Sequence, residues 1–379
     1  MHRLLSLFLL AFAVPATAQV ERIWLTHKSA TPSHIVVSWE TKQPGDSLVE
    51  FGTSAKLGET VKVPGSRTLH HVEIPLKQTD TTYHYRVKTS SQVSDIATFK
   101  GYPTKELRVA LVADWGFAKP ELTALRKDDV HLLLTAGDNV PSLHQFCGVG
   151  VTNCTKAFGA LIDTQPELFR STPFLPALGN HDREIRPRGP KPPMDNVYDT
   201  NATAYRTFFE LPGDEWKWTF DVPGFGARFI ALDLNHIQDI GNTWQTCHAL
   251  AEGSEQLRWY EDTMAATKAG HVITIYNERN ATMRGQVKGK WGQLIQKGSL
   301  AITGFGYFAE RAEVDGFSYY NTALKGNGDK YPDPKSSFLA SEHSYILLTF
   351  KEDTGELTVA LKALDGRVLD QKVLTKRKL

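Results

Sequence analysis

Three stretches of the chain carry residue types that do chemistry: Asp114-Trp115-Gly116, Gly137-Asp138-Asn139 and Gly179-Asn180-His181-Asp182. Carboxylates and an Asn carbonyl gathered in one place make a site for hard or borderline cations. Two such cations a few ångströms apart grip a phosphoryl oxygen and generate a hydroxide nucleophile at neutral pH. His181, beside Asn180, is then the candidate to donate a proton to a leaving oxygen or to stabilise its charge. A single Gly-Asp occurs in turns everywhere. Gly-Asn-His-Asp after a strand, preceded in order by the other two, is a much more specific signal. The competing structural reading is that Asp114, Asp138 and Asn180 tie loops together by side-chain-to-backbone hydrogen bonds, and that His181 is a satisfied loop histidine.

The elements that must position these residues are legible around them. Leu107-Arg108-Val109-Ala110-Leu111-Val112-Ala113 runs into Asp114, His131-Leu132-Leu133-Leu134-Thr135-Ala136 into Gly137-Asp138, and Phe174-Leu175-Pro176-Ala177-Leu178 into Gly179-Asn180. Runs at 228–233 and 271–276 repeat the form, and Ser254 caps a helical pattern between them. Strands alternating with helices predict an α/β domain over 105–379, with ligands beyond the carboxyl ends of the strands. Residues 19–104 read differently. Short runs at 35–39, 47–51, 71–76 and 83–87, separated by turn residues such as Pro44-Gly45, predict an all-β immunoglobulin-like sandwich with Trp39 and Tyr83 in its core.

Composition bounds the function. Across 379 residues, 43 Lys plus Arg meet 42 Asp plus Glu, with 41% hydrophobic residues. That is globular composition without the basic excess of a nucleic-acid binder. Met1-His2-Arg3, the apolar run Leu4 to Val14 and the small-x-small Ala16-Thr17-Ala18 predict a cleavable signal peptide over 1–18. A secreted or periplasmic protein with no membrane span is therefore expected. In that oxidising setting Cys147 and Cys154 can staple one loop, leaving Cys247 free.

These motifs resemble those of the purple acid phosphatases within the calcineurin-like metallophosphoesterase superfamily. The resemblance extends over nearly the whole chain after residue 18. It implies a fibronectin type III-like domain followed by a four-layer α/β/β/α sandwich holding an iron–iron or iron–zinc pair that hydrolyses phosphate monoesters. Carried over residue by residue, it gives Asp114, the bridging Asp138 and Asn180 as metal ligands, with His181 as the catalytic candidate. The other ligand positions are substituted. Pro141 stands where the family has its Tyr, and Asn277, Phe305 and Tyr307 stand where it has His, while Glu310-Arg311 still follows as in the family.

Without imidazole, the site loses its preference for iron or zinc. The remaining oxygen ligands suit one Mg²⁺ or Ca²⁺, with Asn277 as a weak substitute ligand, Glu278 adding an oxygen and Tyr307 a phenolate if a cation depresses its pKa. Arg279, Arg284, Lys288 and Lys290 are candidates to support phosphate or sulfate, although a solvated loop is the plainer reading. His144, His236, His248 and His343 are weighed as replacement ligands, and the spacing favours none of them. The expectation is a pseudoenzyme with residual cation or anion binding. An active acid phosphatase with rebuilt ligands is the alternative. An adhesion or polysaccharide-binding module, marked by an exposed aromatic row on the sandwich, comes third.

Overall fold

The computed structural model describes residues 20–90 and 92–378; the expected signal peptide lies outside them. The first part of the chain forms one antiparallel sheet from the strands Val20–Thr26, His34–Gly52, Glu59–Pro75, Thr82–Thr89, Gln92–Val93 and Ala97–Lys100. Alternation with period two puts Val37, Trp39, Val49, Phe51, Val72, Tyr83, Tyr85 and Val87 into a common core.

Pro44-Gly45 is not the turn that its residue types suggest. His34–Gly52 continues through both residues as one strand, and its pairing with Glu59–Pro75 shifts register between Glu40 and Gly45 and again between Gly45 and Ser47. A proline cannot donate to a ladder, so it is tolerated at such an irregularity, where the pairing is already broken.

The remainder builds two further sheets. One holds, in spatial order, Val368–Leu374, Leu357–Ala363, Ser344–Lys351, Glu106–Val112, Leu132–Thr135 and Phe174–Pro176. The other runs Trp218–Val222, Ala227–Ala231, His271–Tyr276, Leu300–Thr303, Phe317–Asn321, Ala309–Val314 and Ser336–Ala340. In the strand His271–Tyr276, Ile273 and Ile275 share a core with Val109, Leu111 and Leu348 of the other sheet. The intervening Val272 and Tyr276 pack instead with Leu257, Tyr260, Trp291 and Ile295 of the helices Glu255–Ala266 and Lys290–Ile295. Burial on both faces explains why these strands read as continuous apolar runs. Ser254 caps its helix as expected, its hydroxyl accepting from the Leu257 N–H at 3.3 Å.

The antiparallel domain docks firmly on the α/β part. Trp24 stacks on Phe208 with ring centroids 4.2 Å apart, and His27 packs against Phe220 at 4.7 Å. The Tyr85 hydroxyl donates to the Arg170 carbonyl at 2.7 Å. Cys147 and Cys154 form the expected disulfide, and Cys247 is free and buried.

Candidate functional site

Parallel strands of both sheets deliver their carboxyl ends to one cleft of about 160 Å³. Asp114, Asp138, Asn180, His181, Asn277, Phe305 and Tyr307 all line it. Asp114 and Asp138 each leave their strand in the left-handed region, at φ 57° and 55°, which turns both carboxylates back over the sheet edge. The loops interlock through the backbone: Asp114 N–H donates to the Gly137 carbonyl at 3.2 Å, and Gly116 N–H to the Asp138 carbonyl at 3.0 Å. Gly179 is needed for its lack of a side chain, since a Cβ there would lie 2.1 Å from Asp138 Oδ1.

The first carboxylate is under strain of charge. Asp114 Oδ2 is buried with no hydrogen-bond partner. Burial, and then Asp138, push the Asp114 carboxyl well above the usual carboxylate range, while Lys325 pulls it down. Asp138 Oδ1 accepts the backbone N–H of His181 at 3.2 Å. The His181 Nδ1 lies 2.7 Å from Glu184 Oε2, and its ring meets Phe117 edge-on at 4.7 Å. Burial opposes charge on this imidazole, but Asp138 and Glu184 outweigh it and hold the His181 pKa at about 9. His181 is thus held protonated at neutral pH.

The structure places the other candidates as follows. Pro141 does not line the cleft; its segment packs on Gly116, where an added Cβ would lie 2.5 Å from the Pro141 nitrogen. Asn277 serves as a strut, its Nδ2 donating to the carbonyls of Ala136 (2.7 Å) and Gly304 (3.3 Å). Glu278 offers no oxygen to the cleft, because its carboxylate accepts the N–H groups of Ile237 and Arg279. The Tyr307 phenol is pushed up by burial, and further by Asp114 and Asp138, so without a cation it stands neutral. Three of the four basic candidates are engaged elsewhere: Arg279 on the Pro332 carbonyl, Arg284 on Asp333 and Lys290 on Glu261. Glu310 accepts the Asp333 N–H and Arg311 pairs with Asp370, so this dipeptide braces a sheet edge.

Sequence reasoning passed over four residues that belong here. His236, favoured by no spacing, lines the cleft, and burial lowers its pKa so that it is neutral. The available signal was its place a few residues beyond the strand Ala227–Ala231. Asp329 and Tyr331 also line the cleft, and Lys325 rests on the Tyr307 ring with Nζ 4.8 Å from its centroid. These three come from an irregular loop that carries no periodic signal. The remaining candidate histidines lie on other partners, His144 near Glu184, His248 on Asp233 and His343 beside Gly326.

The donor set does not fit a transition-metal pair. Three carboxylates (Asp114, Asp138 and Asp329), the amides of Asn180 and Asn277, the neutral His236 imidazole and the protonated His181 line the cleft, while Phe305 offers no donor at all. Among the described residues, no group of three or more His, Cys, Asp or Glu side chains is arranged to hold a metal ion. What the set can accommodate is a single oxygen-seeking cation.

This architecture, a mixed α/β sandwich preceded by an antiparallel β domain, is shared with a solved structure. The solved structure of PhoD superposes on the chain with a TM-score of 0.67 at 12% identity, covering 96% of this chain and 90% of PhoD. GAP50, the anchor in the inner membrane complex of Plasmodium, gives 0.47 at 16% identity over 72% of this chain and 90% of its own. Vacuolar protein sorting 29 from Cryptosporidium parvum gives 0.32 at 12% identity over 72% of this chain and all of its own. No protein-family model matches the chain, and no curated protein matches it in sequence. The fold is therefore shared with PhoD while the sequences have diverged.

Proposed function

We propose that this chain is a secreted or periplasmic protein of metallophosphoesterase fold that has given up dinuclear phosphoester hydrolysis and uses the cleft for binding. The observation that carries this reading is Asn277. It stands where the resemblance places a histidine, and its amide nitrogen is committed to two backbone carbonyls. Of the other two histidine positions, Phe305 brings no donor and Tyr307 a phenol that burial, Asp114 and Asp138 keep neutral. Hydrolysis of a phosphate ester in this fold needs a metal-activated nucleophile and a charge clamp, and neither follows from these side chains. Asp114, Asp138 and Asn180 support residual binding of one Mg²⁺ or Ca²⁺-like ion, and through it of an anion or phosphate ester. The domain division at 104/105 and the cleavable segment over 1–18 belong to the same reading.

The alternative, an active metal-dependent phosphomonoester hydrolase, is favoured by one observation: the neutral His236 imidazole in the cleft wall. A polysaccharide-binding role has no such support, since the exposed large apolar residues described in the antiparallel domain are Val93 and Ile96, neither aromatic. Elemental analysis of the purified protein, with a phosphatase assay on the same sample, separates the readings. Absence of transition metal and of turnover after reconstitution is expected. Two equivalents of iron or zinc with turnover would overturn the proposal in favour of the hydrolase.

A further inference from the structure

A buried carboxylate needs a cation or a set of donors, because leaving it unpaired in low dielectric is costly. Asp114 has neither among its hydrogen bonds: Oδ2 is buried, unpartnered and part of the cleft. In the resembled enzymes the cation is metal, but the donor set here does not hold a metal pair. The chain supplies a different candidate. The loop that follows the strand Phe317–Asn321 is fastened to the end of the strand that carries Asp114, the Leu324 N–H donating to the Ala113 carbonyl at 2.9 Å. The next residues on both sides of that bond are Lys325 and Asp114. The loop is held from behind as well, by the Ser344 N–H on the Ala323 carbonyl (2.9 Å) and by the Gly326 N–H on His343 Nδ1 (3.0 Å).

Among the described residues Lys325 makes no ion pair. Its ammonium lies 4.8 Å from the centroid of the Tyr307 ring, within the range of a cation–π contact. Tyr307 itself lines the cleft with Asp114 and Asp138. A lysine carries a compact charge on a flexible stem, so it can stand beside a carboxylate and still withdraw. A ring at 307 gives that charge a seat which a histidine bound to metal would not.

We propose that Lys325 is the resident cation of this cleft: its ammonium, seated on the Tyr307 ring at the cleft wall and outside ion-pair distance of either carboxylate, offsets the charge of Asp114 and Asp138 in the absence of a metal pair. It follows that the oxygen set of Asp114, Asp138 and Asn180 is a latent site for a divalent, oxygen-seeking ion, held weak by the chain's own charge. The inference rests on the reading of the cleft as a binding site that has lost its metal pair.

Titration of the full exported chain with Mn²⁺ by calorimetry tests it, using K325M, K325R and the double variant K325M/D114N. Removing a like charge seated on the cleft wall should tighten Mn²⁺ binding in K325M by about tenfold or more. K325R should bind as weakly as the wild type, and K325M/D114N should lose the gain. Equal affinity of wild type and K325M would overturn the proposal, as would a gain that persists without Asp114. Lys325 donates no hydrogen bond to the described chain, so K325M should fold; if it does not, K325Q repeats the comparison with a neutral polar head. The two readings fail separately. Two equivalents of transition metal with turnover in the wild type would sink the non-catalytic reading, whereas an unchanged K325M affinity sinks only the role of Lys325.

Discussion

The Asp182 carboxylate holds Asn139 twice, accepting its backbone N–H at 2.8 Å and its side-chain Nδ2 at 2.9 Å. It also accepts the N–H groups of Val140 (3.2 Å) and Gly179 (2.8 Å). The acid of the third motif is therefore the knot that ties the second and third strand-end loops, and it keeps Asp138 and Asn180 in register. Burial, and next Asp138, push its carboxyl up to about 7 against the pull of these donors.

Replacing Asp182 by Ala leaves four buried donors without an acceptor. The expected cost is about 3 kcal/mol or more, the scale of a buried charged partner removed from its hydrogen bonds. Urea unfolding of D182A against wild type measures it. A loss below about 1 kcal/mol, typical of a solvated side chain, would show that the loops are held by something else.

Gly179→Ala should injure the same loop by a different route. The new Cβ would lie 2.1 Å from Asp138 Oδ1 and 2.4 Å from Asp138 N, and a backbone atom cannot swing away as a flexible side-chain tip does. Overpacking of this kind costs about 1–3 kcal/mol and displaces the neighbour. Thermal unfolding reads the first effect. Loss of the Mn²⁺ gain when G179A is added to K325M reads the second, because Asp138 is then out of place.

Acid should loosen the junction between the two domains. His27 is fully buried, its Nδ1 2.6 Å from the His34 carbonyl and its Nε2 3.0 Å from the Tyr102 hydroxyl. Burial lowers its pKa from 6.5 to about 4, so the folded chain resists the proton that the unfolded chain accepts. The stability linked to it is thus whole above pH 6.5 and is lost as the pH falls towards 4, up to about 3 kcal/mol for such a shift. H27Q keeps a donor and an acceptor without titrating. Denaturation at pH 7 and pH 4 should show a smaller acid loss for H27Q than for wild type, and identical losses would refute the assignment.

How much of this was legible in the sequence depends on the range of the interaction. Strands such as Leu132–Thr135 and His271–Tyr276 declare themselves because both faces are buried, so every residue type in them agrees. The three loops that follow are legible because Asp and Asn after an apolar run have few other reasons to recur in order. Pro44-Gly45 misleads because a local turn signal cannot register that the paired strand already carries an irregularity there. Lys325 and Tyr331 leave no trace, since their place is set by a loop anchored on a strand two hundred residues earlier, through the Leu324 to Ala113 bond. Glu278 was read as a spare oxygen, yet its carboxylate is consumed by the N–H groups of Ile237 and Arg279. Side-chain-to-backbone bonds of this kind depend on which loops the topology brings together, and spacing alone does not encode that.

Restoring the substituted positions tests the correspondence itself. Asn277, Phe305 and Tyr307 converge on the cleft, so N277H, F305H and Y307H bring three imidazoles to face Asp114, Asp138 and Asn180. Adding P141Y completes the set of the resembled enzymes, although residue 141 lies outside the cleft lining and its tyrosine must reach in past Gly116. Three imidazoles with carboxylates suit zinc or iron, where the present oxygen set does not. N277H forfeits the bonds to the Ala136 and Gly304 carbonyls, and about 1–3 kcal/mol of stability should go with them. The quadruple variant should therefore melt earlier than wild type and yet return from reconstitution with zinc or iron bound, as read by elemental analysis. Tyr307 is also the seat of Lys325, so its removal frees that ammonium, and K325M added to the quadruple variant should raise metal occupancy further. A quadruple variant that folds but binds neither metal would mean that these positions do not correspond to ligands, and the cleft would then have to be explained without reference to a metal site.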